Sequence, residues 1–211
     1  MKTLSLYPAL EAFFEKIKTE KPTERHRAER ERIASYIASE VSAGRTVKLI
    51  FICTHNSRRS QLAEFWTSAL AFRLDLPLLA FSGGTSVTAL FPAVAESLKR
   101  SGVTVKKESG DNPLYRFSFA DGTNSSKQFS KFIDDRQNPQ DQFVAVMLCS
   151  DAEQNCPIVK GADERFSLPF EDPKTSDGTE QERKTYAVTS LAIAAEIYEF
   201  LNSAKTKLKN D

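Results

Sequence analysis

The sequence predicts an α/β fold: a four-stranded parallel sheet flanked by helices, with an N-terminal helical extension and an inserted β-hairpin. Three observations carry this expectation. Short strand-like runs at 47–52, 78–81, 143–148 and 165–168, the first three mainly apolar, are separated by helix-patterned segments, as in a parallel sheet covered on both faces. A helical stretch precedes the first run. An alternating segment with a tight turn interrupts the series at about 111–141.

Each element follows from local pattern. Residues 6–18 read as a short amphipathic helix. Pro22 and Thr23 mark a new start, with Thr23 a candidate N-cap. From 24 to 43 the pattern is helical again, with Ile33, Ile37 and Val41 on one stripe and Gly44 as the stop. The charge run at 24–32 reads as a solvated face, and His26 within it carries no expected role. Residues 1–46 are thus the extension and 47–211 the core domain.

Within the core, 47–52 is the first strand. Residues 61–73 form a helix with Leu62, Phe65, Trp66 and Ala69 at core spacing. Residues 78–81 are a second strand, 89–100 a helix, and 102–105 a return toward the sheet. The alternation at 114–119 and 127–132, around Asp121 and Gly122, reads as a hairpin. It either walls the site at the strand C-termini or decorates an edge. Residues 143–148 and 165–168 are the third and fourth strands. A terminal helix over 180–204 offers Leu191, Ala194, Ala195, Tyr198 and Leu201 for packing.

Composition narrows the function. At 211 residues and 40% apolar, the chain suits one domain with a sizeable core. A net charge of +1 gives no reason to expect nucleic acid or an anionic membrane as partner. No apolar run reaches membrane-spanning length, and the first residues lack an apolar signal core. The expected location is the cytoplasm. Three cysteines argue against a secreted disulfide framework. The spacing from Cys149 to Cys156 is wider than a zinc knuckle's, and no histidine is near.

The most informative stretch is CTHNSRRS at 53–60, between the first strand and its helix. Amides of Thr54, His55, Asn56, Ser57 and Arg58, curled at a helix N-terminus, make an anion-binding nest. Arg59 adds a fork of donors suited to two oxygens of a tetrahedral anion. Cys53 sits beneath, where the same field favours thiolate. Ser60 offers that thiolate a hydrogen bond, and Asn56 tolerates left-handed backbone. The competing reading is a strand–turn–helix junction with an inert buried cysteine.

This loop, with Gln61, Leu62, Ala63 and Glu64 after it, resembles the low-molecular-weight protein tyrosine phosphatase superfamily. LCSDAEQNCPI at 148–158 resembles the redox segment of its thioredoxin-coupled arsenate reductases. Phe170, Glu171, Asp172 and Pro173, followed by GTEQE at 178–182, form a third match. The resemblance runs from about Val47 to the C-terminus, interrupted by the insertion. It implies a low-molecular-weight-phosphatase-like fold and a three-thiol relay. Cys53 attacks arsenate, Cys149 displaces arsenite, and Cys156 draws the disulfide away for thioredoxin or a similar dithiol. Asp172 carries the acid role by the same resemblance; alone, its Asp-Pro pair reads as a turn. A phosphatase acting through phosphocysteine needs only Cys53, Arg59 and Asp172. A non-catalytic oxyanion- or phosphoprotein-binding module is the third reading.

Departures from the family pattern are expectations too. His55 stands where glycine is usual, which would restrict the loop backbone. Arg58 replaces a common second loop cysteine. No cofactor is required, but Asn56, Glu64 and Ser82 match three ligand positions of a weak potassium site found in some reductases. The expected acidic partner there aligns with Lys131, whose ammonium would replace the ion.

Overall fold

The computed structural model describes residues 5–122, 125–150 and 158–210. In chain order the elements are α1 (Pro8–Thr19), α2 (Arg27–Ser42), β1 (Val47–Cys53), α3 (Arg59–Leu74), β2 (Leu78–Gly84) and α4 (Pro92–Arg100). They continue with β3 (Thr104–Lys107), β4 (Tyr115–Ser118), β5 (Ser125–Gln128), β6 (Phe143–Met147), β7 (Ala162–Ser167) and α5 (Glu182–Asn210). Strands β2, β1, β6 and β7, in that order, form the parallel four-stranded sheet.

Alternation along β1 sends its side chains to two separate cores. Leu49 and Phe51 join one cluster with Val144, Val146 and buried residues of all five helices. Ile50 and Ile52 join a smaller one with Ala145, Met147, Val159, Cys53 and Cys149. Ile133 and Ala162 pack against this second face. The two cysteines therefore lie on one side of the sheet, at its C-terminal end.

The N-terminal segment folds onto the first cluster. Leu10, Phe14 and Ile17 of α1 are buried, and each such side chain contributes about 1.5–3 kcal/mol. Phe14 meets Tyr198 of α5 edge-on at 5.4 Å. Ile33 and Ile37 bury the α2 stripe as patterned, and Gly44 takes φ +76° just past the helix. Thr23 stands at the N-cap position without a side-chain capping bond, and its amide donates to Glu196.

Three expectations are corrected. Residues 104–107 do not rejoin the parallel sheet: β3 pairs antiparallel with β4, so the hairpin becomes a three-stranded sheet β3-β4-β5. The second hairpin strand ends at Gln128; the chain then leaves, and Phe132 bridges to Gly84 at the edge of the main sheet. The charge run at 24–32 is not wholly solvated, because His26 and Arg30 are buried against Glu196 of α5. Residues 123 and 124 at the hairpin tip lie outside the described residues. Among the described residues no helix is long and apolar enough to cross a membrane.

Candidate active site

The loop between β1 and α3 has its carbonyls turned outward and held. Thr54 O accepts from Ser86 N at 2.9 Å, and His55 O from Ser130 Oγ at 2.9 Å. Asn56 O accepts from Gln61 Nε2 at 2.8 Å, Ser57 O from Phe91 N at 3.0 Å, and Arg58 O from Leu62 N at 3.0 Å. The amides of His55, Asn56, Ser57 and Arg58 have no acceptor among the described residues. Buried amides left in this state at a helix N-terminus form an anion cradle.

Asn56 takes φ +46°, the left-handed geometry its type tolerates, and is fully buried. His55 has no positive φ, so the glycine it replaces is not missed. Gly84 is needed by approach rather than by φ. A Cβ there would lie 2.8 Å from both Asn56 N and Thr54 O and 2.6 Å from Ser86 O.

Cys53 closes the end of β1, 3% exposed, with its Sγ 3.1 Å from Ser60 Oγ. Ser60 Oγ accepts from Asn56 Nδ2 at 2.9 Å. Asn56 Oδ1 accepts from Lys131 N at 2.8 Å, which fixes that amide's orientation. Ser60 keeps its own proton, which is within reach of the sulfur. The strand ladder continues past β6, since Leu148 N donates to Ile52 O at 2.8 Å. That pairing brings Cys149 beside the loop, its Sγ 3.5 Å from Thr54 Oγ1. Cys156 lies outside the described residues.

Arg59 is 7% exposed and ties the loop to the segment after β7. Its Nη1 donates to Phe170 O at 2.8 Å and its Nη2 to Asp172 Oδ2 at 2.6 Å. Asp172 also accepts from Lys174 N at 3.0 Å, capping a short 3-10 turn. The Asp-Pro pair is therefore both a turn initiator and a partner of Arg59.

Arg58 is clamped rather than free to roam. Its Nε donates to Tyr186 OH at 2.7 Å, Asp177 accepts from its Nη2, and its guanidinium stacks over Phe91 at 4.2 Å. Burial works against the Arg58 charge, but Tyr186 and Asp177 overcome it and raise its pKa. Burial also pushes the Tyr186 phenol up, assisted by its bond to Asp177. A permanent cation thus sits at the mouth of α3.

Asn56, Glu64 and Ser82 do converge, around Lys131. The Lys131 ammonium lies 3.9 Å from Glu64 Oε2, with both side chains buried, and 5.1 Å from the Phe129 ring centroid. Burial raises the Glu64 carboxyl, while Lys131, Ser82 and Ser126 oppose the rise. The Lys131 ammonium thus lies beside Glu64, and its backbone amide engages Asn56 Oδ1. Among the described residues no group of three or more His, Cys, Asp or Glu is arranged for a metal.

Several site residues carried no expectation. Ser130 holds His55 O and is itself held by Asn112, whose Nδ2 donates to Ser130 O at 2.7 Å. Nothing in the hairpin sequence signals this. Gly84, a glycine at a strand end, is the kind of residue that marks a close backbone approach. Asp177 and Tyr186 became partners only through the fold.

No family model matches the chain. An arsenate reductase 2 of Staphylococcus epidermidis is 30% identical over 135 residues, 64% of this chain and 85% of the relative. The chain belongs to this arsenate reductase family. The arsenate reductase of Bacillus subtilis strain 168 is also 30% identical over 135 residues, covering 64% of this chain and 80% of that one. Among solved structures, a low molecular weight protein tyrosine phosphatase from T. tengcongensis shares the fold. Its TM-score is 0.54 at 18% identity, over 74% of this chain and 99% of that chain. The four-stranded parallel sheet flanked by helices is the fold that the two chains share.

Proposed function

We propose that the protein reduces arsenate by a three-cysteine relay. The observation that carries this reading is the placement of the Cys149 sulfur 3.5 Å from Thr54 Oγ1, in the loop that follows Cys53. The amides of residues 55–58 and Arg59 bind the arsenate. Cys53 thiolate attacks arsenic, Asp172 protonates the departing oxygen, and water leaves, giving a Cys53–arsenic bond. Cys149 thiolate then attacks the Cys53 sulfur. The sulfur–arsenic bond breaks, its electron pair stays on arsenic, and arsenite leaves as As(III). Cys156 attacks Cys149, freeing Cys53 and forming the Cys149–Cys156 disulfide, which thioredoxin or a similar dithiol reduces. In this reading the Lys131 ammonium serves in place of a potassium ion.

The test is arsenate-dependent oxidation of a reduced thioredoxin system by the purified protein. Turnover that disappears in Cys149→Ser and in Cys156→Ser supports the relay. Aryl-phosphate hydrolysis unaffected by both changes, without arsenate turnover, means a phosphatase using the same Cys53, Arg59 and Asp172. Anion binding without either reaction leaves a binding module.

A further inference from the structure

The N-terminal segment reaches the active site from behind. Arg25 Nη2 donates to Pro169 O at 2.7 Å. The next residue, His26, packs its ring edge-on against Phe170 at 5.5 Å. Pro169 and Phe170 begin the stretch that ends at Asp172. The opposite side of that stretch is held by Arg59, through Phe170 O and Asp172 Oδ2. Four consecutive residues are thus gripped between the anion-binding arginine and two residues that precede α2.

That grip is anchored in a buried polar cluster. His26, Arg30 and Glu196 are 3%, 7% and 1% exposed. Glu196 Oε2 accepts from Arg30 Nη1 at 2.7 Å, and its Oε1 accepts from Thr23 N at 2.6 Å and lies 3.2 Å from His26 Nδ1. Arg30 Nη1 also donates to Thr23 O at 2.6 Å. Burying charges is expensive unless every partner is placed. This cluster fixes where residues 23–26 sit relative to α5, and so fixes the direction from which Arg25 and His26 meet Phe170. An apolar contact would hold α2 on α5 equally well without specifying that angle.

We infer that Arg25 and His26 are positioning residues for the reaction: through Pro169 and Phe170 they hold Asp172 where it can deliver its proton. This rests on the proposed acid role of Asp172. Proton delivery demands placement within hydrogen-bond reach, and errors of about 1 Å are enough to slow catalysis by about a hundredfold.

Arg25 is exposed, so Arg25→Ala removes one hydrogen bond without opening the core. In the full chain, with a thioredoxin system supplying electrons, kcat for arsenate should fall about fivefold, the scale of one hydrogen bond's net worth. KM for arsenate and the inhibition constant of inorganic phosphate should stay within about twofold, because the anion cradle is untouched. Arg25→Lys, which can still donate to Pro169 O, should recover most of the loss. In an Asp172→Asn background, Arg25→Ala should have no further effect on kcat, since it acts through the missing carboxyl. A kcat loss in Asp172→Asn with none in Arg25→Ala overturns the positioning role alone. Equal, additive losses in both backgrounds also overturn it, in favour of a general structural effect. An Asp172→Asn protein that turns over at the parent rate removes the acid assignment and this inference with it.

Discussion

Ser60 Oγ lies 3.1 Å from Cys53 Sγ and already accepts a hydrogen bond from Asn56. A hydroxyl that accepts in this way keeps its own proton to give. The geometry fits donation of that proton to the Cys53 sulfur. Hydrogen bonds to charged groups are worth about 1.5–3 kcal/mol. Ser60→Ala should therefore slow alkylation of Cys53 by iodoacetamide at neutral pH about tenfold or more, while Ser60→Thr keeps most of the rate. Equal alkylation rates in Ser60→Ala and the parent would show that the hydroxyl does not assist.

Lys131 and Glu64 share one buried site. Lys131→Met leaves a buried carboxylate without a cation, a change that costs about 3–5 kcal/mol. Glu64 is raised by burial, so its ionisation opposes folding. Its contribution to stability is then greatest below the ordinary glutamate value of 4.5 and is lost as pH climbs through the raised folded value. The fall should be steeper in Lys131→Met than in the parent. Unfolding midpoints in potassium chloride and in choline chloride make a second check. Potassium should stabilise the variant selectively, by entering the space the ammonium has left; a parent protein that depends on potassium contradicts the replacement.

Glu196 has the opposite sign. Burial works to raise its carboxyl, but bonds from His26, Arg30 and the Thr23 amide together hold it below 4.5. Its contribution is therefore complete above that value and is lost as pH falls through the lower folded one. Urea unfolding of Glu196→Gln should show a loss of about 3–5 kcal/mol at neutral pH, typical of a broken buried pair. The gap between variant and parent should narrow on acidification below pH 4.5. A gap that widens there contradicts the assignment.

Gly84→Ala places a methyl against three backbone atoms of the loop and of Ser86. Backbone cannot swing aside as a flexible side chain can. The loop should shift, and displacements of about 1 Å cost about a hundredfold in rate. Arsenate turnover and phosphate competition should both collapse, while the unfolding midpoint moves by only a few degrees, because the rest of the sheet is untouched.

The parallel sheet was legible because its two central strands are buried on both faces and read as mainly apolar runs, 47–52 and 143–148. The nucleophile loop was legible because Cys53, Asn56, Arg59 and Ser60 each have a local reason to be there. What escaped depends on pairing across distance. Glu196 is one more charged position on a long helix until α2 lies alongside and supplies Arg30 and His26. Gln61 and Glu64 look like the polar face of α3; both are buried because the inserted segment covers that face. β3 carries too little apolar pattern to reveal that it pairs with β4 rather than with the main sheet. Ser130 shows no motif at all, and its role comes entirely from where the chain goes after β5.

The outward grip on the loop carbonyls also limits how this chemistry can be moved. Ser86, Phe91 and Ser130, which restrain the loop, are scattered over some 45 positions of the chain. A synthetic peptide spelling CTHNSRRS, or the same eight letters grafted between a strand and a helix of another scaffold, would lack these restraints and let its amides turn back to water. Transplanting the activity means carrying over the stretch from β1 through Lys131, insertion included.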